Sequence, residues 1–211
     1  MKRIVIADDH PIIIEGLSQL FKRQSEFELV AAVNDGAKAL DAVRTLKPDI
    51  MVLDVQMPKK DGLSVMREMI REGLTTKVVI LTATLDDDGV MEAVKLGVWG
   101  LVLKESASTQ LIDALRRVAM GLRAVDPSLV AAAASRSMSR REARRELENL
   151  LSPRETDVVR MVAKGLRNKE IAEKLTITEG TVKSYLHSIY EKLGVKGRVE
   201  LTLLAQDKGL V

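Results

Sequence analysis

The chain has 211 residues, 46% hydrophobic and 30% charged, with no cysteine and two histidines, His10 and His187. This is the composition of a globular protein long enough for two domains, and it excludes disulfides, cysteine-based zinc sites, thiol catalysis and a histidine-rich metal centre. The net charge of +3 divides unevenly: −2 over residues 1–120 (16 basic, 18 acidic), +2 over 121–150 (6 and 4) and +3 over 151–211 (11 and 8), so a polyanion partner would belong to the C-terminal end. No apolar run approaches the ~20 residues that span a bilayer. Asp8 and Asp9 interrupt the short apolar run Ile4 to Ala7, so no secretory signal is expected and the expected location is cytoplasmic.

Apolar runs of strand length alternate with helical patterns over the first 120 residues. Lys2 to Ala7 precedes a helix opening near Pro11, a favoured first-turn residue, with Ile13, Leu17, Leu20 and Phe21 as its apolar stripe. Phe27 to Val33 precedes a helix over about 36–46, and Ile50 to Leu53 one over about 63–72. Lys77 to Leu81 precedes a helix over about 89–96, and Gly100 to Leu103 a last one over about 109–121. Five β–α repeats predict an α/β fold, a five-stranded, doubly wound parallel sheet.

The residues that end these strands carry chemistry: Asp8-Asp9 after the first, Asp54 after the third, Thr82-Ala83 after the fourth and Lys104 after the fifth. Taken singly, each has a plainer reading: helix or strand caps for Asp8-Asp9, Asp54 and Thr82, a solvated charge for Lys104. In a parallel sheet, however, all would project into one crevice at the carboxyl edge. Three carboxylates converging there would repel one another without a hard cation among them. Mg²⁺ suits carboxylates, water and phosphate oxygens, and a lysine and a hydroxyl beside it would hold phosphoryl oxygens.

Asp8-Asp9, Asp54 followed by Met57-Pro58 and Gly62, Thr82-Ala83, and Lys104 together resemble the receiver domain of two-component response regulators, over residues 1–121, which implies a flavodoxin-like form of the sheet. The resemblance implies that Asp54 accepts a phosphoryl group from a histidine kinase. Asp9, Asp54 and the backbone carbonyl of Gln56 would ligate Mg²⁺, with Asp8 helping through water; Thr82 would hydrogen-bond the phosphoryl group and Lys104 pair with it. One departure stands out: the family usually carries a switching aromatic three residues before the lysine, where this chain has Leu101. Leu101 is therefore a switch candidate, and the switch is expected to be read through Thr82 and the loop 83–88; the alternative for Leu101 is plain core. Trp99, two residues earlier, is either packing or an exposed feature of a dimerisation face.

Residues 122–149 read as a linker, partly helical. It holds the run Ala131 to Ala134 and a basic, serine-rich stretch, Arg136 to Arg145, that is either solvated or in contact with DNA phosphates. Ser139-Arg140-Arg141-Glu142 has capping-box spacing, so a short helix is expected from there toward Leu151.

The last sixty residues read as small helices. Ser152-Pro153-Arg154-Glu155 starts one, Asn168 to Leu175 forms a short second, Thr178 opens a longer third ended by Gly194, and about 198–208 makes the fourth. Two helices joined by a tight turn fit a helix-turn-helix, the second lying in the major groove. Lys183 would donate to guanine, His187 would face the same way one turn on, and Thr181, Ser184 and Lys169 would supply further DNA contacts. On pattern alone, a four-helix interaction module fits equally well. Leu151 to Glu155, Asn168 to Ala172, Thr181-Val182-Lys183 and Lys192 to Val195 resemble a LuxR-type DNA-binding domain over residues 150–211, with Tyr185 and Gly197 departing from its usual histidine and cap. With the receiver, this is the NarL/FixJ arrangement.

The resemblance implies a transcription regulator, not an enzyme. A histidine kinase would phosphorylate Asp54, and the modified protein would form a homodimer on double-stranded promoter DNA, with no membrane partner. Two alternatives remain: regulation by protein contact without phosphorylation, and an Mg²⁺-dependent phosphohydrolase. Gln56 speaks against the latter, since haloacid-dehalogenase-type enzymes place a second acid two residues after the nucleophile.

Overall fold

Five parallel strands lie side by side in the order β2-β1-β3-β4-β5: β2 (Phe27–Val33), β1 (Lys2–Ala7), β3 (Ile50–Leu53), β4 (Lys77–Thr82) and β5 (Gly100–Leu103). The structure, a computed structural model, describes residues 1–210 apart from the side chains of residues 108 and 109; Val211, the expected end of the C-terminal module, lies outside the described residues. Helices α1 (Pro11–Lys22), α2 (Gly36–Leu46), α3 (Gly62–Arg71) and α4 (Asp87–Lys95) connect the strands and α5 (Ala107–Ala119) follows the last, as the alternating pattern predicts. α3, α4 and α5 each begin one or two residues earlier than apolar spacing alone suggests. Asp61 and Asp86 cap α3 and α4 from outside the apolar stripe, accepting from the Ser64 and Gly89 N–H groups, while a 3-10 turn over Lys104–Ser106 leads into α5.

The strands are apolar throughout because both faces of the sheet are covered, and alternate residues divide between two cores. Ile4, Ile6, Ile50, Val52, Val79 and Leu81 pack with Leu17 and Phe21 of α1 and Leu111, Leu115 and Val118 of α5. Val5, Ala7, Met51, Leu53, Val78 and Ile80 pack with Leu40 and Val43 of α2 and Leu63, Met66 and Met69 of α3. Each fully buried aliphatic side chain contributes about 1.5–3 kcal/mol, so a one-residue slip would turn each strand's apolar residues to the wrong core and is strongly disfavoured. That register fixes the strand tips. Ala7 of β1 pairs with Leu53 of β3, so Asp8 and Asp54 emerge side by side; Thr82 of β4 pairs with Leu103 of β5, so Lys104 follows next to it.

Beyond β5 the sheet gains one more rung. The Ala124 N–H donates to the Trp99 carbonyl (2.7 Å) and its carbonyl accepts from the Leu101 N–H (3.1 Å), a parallel bridge that lays residues 123–125 along the outer edge. Trp99 is half-buried, with the Lys77 ammonium 4.3 Å and the Arg123 guanidinium 5.4 Å from its ring; packing, not display, is its role in this structure.

The chain folds as two compact units, residues 1–134 and residues 135 onward. The linker departs from expectation. A single helix, α6 (Pro127–Leu150), replaces the short helix expected from Ser139, and both Ser139 and the run Ala131 to Ala134 lie inside it. Asp126 starts it by accepting from the Ser128 N–H (2.8 Å), with Pro127 at the first helical position. The alanines then propagate it, since alanine has the highest helix propensity.

In the second unit α7 (Pro153–Ala163), α8 (Asn168–Leu175), α9 (Glu179–Leu193) and α10 (Arg198–Asp207) enclose a core of Val158, Val162, Ile171, Val182, Ile189 and Leu201. Thr176, in the left-handed conformation (φ 56°), makes the sharp turn between α8 and α9, and Thr178 caps α9 by accepting from the Thr181 N–H.

Candidate functional site

At the carboxyl edge of the sheet the tip residues of β1, β3 and β5 meet. The Lys104 Nζ lies 2.7 Å from Asp54 Oδ2 and 2.8 Å from Asp8 Oδ2, tying β5 to the two central strands. Asp8 and Asp54 are almost wholly buried, at 1% and 2% exposure. Their backbones are fixed as well: the Asp54 N–H donates to the Ala7 carbonyl (2.8 Å) and the Asp8 N–H to the Val33 carbonyl (3.1 Å). Burial on its own would push the Lys104 ammonium down, but the close contact and charge of Asp54 and Asp8 outweigh it and hold the lysine above its ordinary value. It is a fixed positive charge.

That one ammonium faces three carboxylates, Asp8, Asp9 and Asp54. Ligating atoms of these three and of His10 all lie within 4.8 Å of one another. Among the described residues, Asp8 Oδ2 and Asp9 Oδ1 are buried without a hydrogen-bond partner, Asp8 Oδ2 meeting Lys104 as an ion pair off the hydrogen-bonding line. Carboxylate oxygens short of hydrogen bonds among like charges are costly, and an oxygen-seeking divalent cation is what such a donor set fits. The cluster can therefore hold a metal.

The remaining sequence-predicted residues of this edge are placed as follows. The Gln56 N–H donates to Asp54 Oδ1 (3.3 Å). Thr82 is buried at the tip of β4, its hydroxyl donating to the Thr84 carbonyl (2.9 Å) rather than to Asp54. Leu101 is half-buried and packs, with Val125, against the core on the α2–α3–α4 side. Gly62 lies against the site's backbone, where a Cβ would run into the Asp54 carbonyl oxygen.

Sequence reasoning missed His10. Its imidazole Nδ1 lies 3.0 Å from Asp8 Oδ1, 2.9 Å from Asp9 Oδ1 and 3.3 Å from the Lys104 Nζ. Its position directly after Asp8-Asp9 was the available signal.

In the second unit Lys183, Ser184 and His187 lie exposed on α9, and Lys169 is exposed on α8. Thr181 is half-buried, its hydroxyl 2.9 Å from that of Thr178, so it is partly spent on starting the helix. Ser184 donates to the Gly180 carbonyl (3.2 Å), and His187 lies 3.5 Å from Glu191. The pitch of α9 is set from below by Glu155. Its carboxylate accepts from Ser188 (2.8 Å), twice from Lys192 (2.9 and 2.6 Å) and from the Ser152 N–H (2.7 Å). Burial would raise the Glu155 carboxyl, yet these donors together lower it to about 2. The sequence showed Glu155 only as the capping partner of Ser152; its hold on α9 needs the folded contact.

Residues 4–116 match the model of the response regulator receiver domain. The chain belongs to the response regulators. Residues 149–205 of this response regulator match a second family, the bacterial regulatory proteins of the luxR family. The chain is 35% identical over 209 residues to the transcriptional regulatory protein DesR of Bacillus subtilis, covering 99% of this chain and 98% of that one. It is similar in structure to the RcsB response regulator of Salmonella typhimurium, with TM-score 0.63 and 25% identity over 98% of this chain and 100% of that one. An RcsB structure solved in complex with DNA gives TM-score 0.61 and 26% identity over 98% of both chains. This is a two-component response regulator with a LuxR-type DNA-binding domain, in a family of transcriptional regulators rather than enzymes. No helix among the described residues is long and apolar enough to cross a membrane.

Proposed function

We propose that this response regulator, in the cytoplasm, is phosphorylated on Asp54 by a histidine kinase and thereby comes to bind promoter DNA as a homodimer. The observation that carries this is Lys104 bridging Asp54 and Asp8 at the strand tips. A buried carboxylate is a poor nucleophile toward an anionic phosphoryl group unless positive charge neutralises the transferring oxygens. Lys104 supplies one such charge. Asp8, Asp9, Asp54 and the Gln56 carbonyl would hold Mg²⁺, which supplies the rest as a Lewis acid.

As an Asp54 oxygen bonds to phosphorus, the phosphorus–nitrogen bond of the donor phosphohistidine breaks and the imidazole leaves. Lys104 then pairs with the phosphoryl group. Thr82 exchanges its bond to the Thr84 carbonyl for one to a phosphoryl oxygen, drawing the loop 83–86 and the start of α4 with it. The loop change shifts the receiver's population toward a dimerising form. On DNA, α9 would enter the major groove with Lys183, Ser184 and His187 toward the bases, while Lys169 and Thr181 meet phosphates. The relatives support this reading, since RcsB has been solved with DNA.

The experiment is direct. A small-molecule or kinase phosphodonor should label the wild type, and labelling should tighten promoter binding in a gel shift; Asp54→Ala should lose both. Equal labelling and equal tightening in Asp54→Ala would overturn the proposal.

A further inference from the structure

We infer that His10 is a nitrogen ligand of the divalent cation at the strand tips, and that it moves the site's preference from magnesium toward borderline cations such as Mn²⁺. The inference rests on the reading that a cation sits there, and its test separates the two.

His10 is the residue before α1 and has extended backbone (φ −93°, ψ 110°), yet its side chain makes no capping hydrogen bond. Histidine is a weak choice at that position, where Ser, Thr, Asp and Asn lead. Helix initiation does not account for the imidazole; Pro11 at the first helical position serves that end. The ring turns back instead over the carboxylates. Its backbone is anchored to the same group, the His10 N–H donating to Asp8 Oδ1 at 2.9 Å.

Two distances carry the inference. Nδ1 lies 3.0 Å from Asp8 Oδ1, where hydrogen-bonding alignment is met, and 2.9 Å from Asp9 Oδ1, an oxygen left without a hydrogen bond among the described residues. Two electronegative atoms that close, with no proton directed between them, are in the relation of neighbouring ligands. Metal–ligand bonds of ~2.1 Å at right angles place adjacent ligand atoms about 3.0 Å apart. Nδ1 thus has an octahedral-edge spacing to Asp9 Oδ1, while the Asp8 hydrogen bond and the Lys104 Nζ at 3.3 Å hold the ring over the cluster, which Asp54 closes within 4.8 Å. The imidazole is also half-open, its side chain 59% exposed, so it can turn toward an incoming cation without disturbing the core.

The ligand class follows from the donors. Carboxylates and water suit magnesium, whereas an imidazole adds little for so hard an ion and more for manganese, iron or zinc. The two histidines of the chain make this readable, since His187 lies on a helix of the other unit.

The test is pulsed electron paramagnetic resonance of the full chain loaded with Mn²⁺ alone, beside competition between Mn²⁺ and Mg²⁺ in calorimetry. The expected result is ¹⁴N modulation on the manganese signal that disappears in His10→Asn. That variant keeps a good helix cap and so separates ligation from helix initiation. His10→Asn should weaken Mn²⁺ binding at least tenfold and Mg²⁺ binding much less, with an unchanged melting curve. His187→Asn should change neither signal nor affinity. Mn²⁺ bound without ¹⁴N modulation, or with modulation that survives His10→Asn, overturns the inference and leaves the cation site standing. No binding of either metal overturns both.

Discussion

Two buried clusters each set a carboxylate against a lysine, and they differ in whether the polar atoms are satisfied. In the C-terminal unit the Glu155 carboxylate receives hydrogen bonds from Ser152, Ser188 and Lys192 and joins α7 to α9. In the receiver, Lys104 faces three acids, and two buried oxygens, Asp8 Oδ2 and Asp9 Oδ1, lack hydrogen bonds among the described residues. A satisfied cluster holds a fold in one state. An over-acidic one gives up stability and keeps affinity for what would neutralise it, here a cation and a phosphoryl group. The difference distinguishes a structural charge from a functional one.

The comparison breaks most visibly at the lysines. Lys104→Ala leaves Asp8 and Asp54 buried without their counter-charge, and metal-free stability should fall by about 3 kcal/mol. Urea unfolding would show this, with Mg²⁺ recovering part of the loss. Lys192→Ala should cost only ~1 kcal/mol, because Glu155 keeps Ser188 and the Ser152 N–H.

Next comes a difference of sign. Glu155→Gln replaces a matched anion and should destabilise by about 2 kcal/mol. Asp54→Asn removes one of three crowded negative charges and should stabilise the metal-free chain by about 1 kcal/mol. Matched thermal melts in chelator decide between them; two losses would mean that the receiver cluster is as satisfied as the other.

The pH dependence is narrower still. The Glu155 carboxyl stands at about 2 in the fold against an ordinary 4.5. A depressed carboxyl contributes its full stability above the unfolded value and loses it as pH falls through the folded one. The stability gap between wild type and Glu155→Gln should therefore be constant above about pH 4.5 and close between 4.5 and 2, as followed by circular dichroism.

The smallest effect concerns Leu101. Ala124→Pro removes the N–H that donates to the Trp99 carbonyl and should loosen the added rung by ~1 kcal/mol. Trp99 is the one tryptophan of the chain, so a red shift of its emission would report the loosening. If phosphorylation is read through Thr82 and its loop, the variant should still take a phosphoryl group at the wild-type rate.

What was legible in the sequence followed from periodicity. Strand runs such as Ile50 to Leu53 announced a parallel sheet, and a parallel sheet gathers its tips, so the meeting of Asp8, Asp54 and Lys104 followed from chain order alone. The rest depended on contacts without local pattern. His10 offered only its place directly after two acids, which does not say that its ring turns back over them. Glu155 satisfied a local rule three residues after Ser152 and so hid its reach to Ser188 and Lys192, some thirty residues on. The α6 start was written in Asp126-Pro127-Ser128, but the capping spacing at Ser139 gave a competing signal, and serine in an alanine-rich helix is tolerated where it is not needed as a cap.

The rung at Ala124 bears on where the receiver can be cut. Ala124 comes after α5, yet it takes up the Leu101 N–H of β5 and the Trp99 carbonyl just before it, two groups that would otherwise line the sheet's outer edge. A fragment ending at Gly121 would keep every strand and helix of the α/β fold and still present that edge bare, an open template for strand addition by a second copy. Carried through Asp126, the same fragment covers the start of that edge with its own backbone. Five residues at the end of a chain then separate a monodisperse protein from one that self-associates, which light scattering of the two fragments would show.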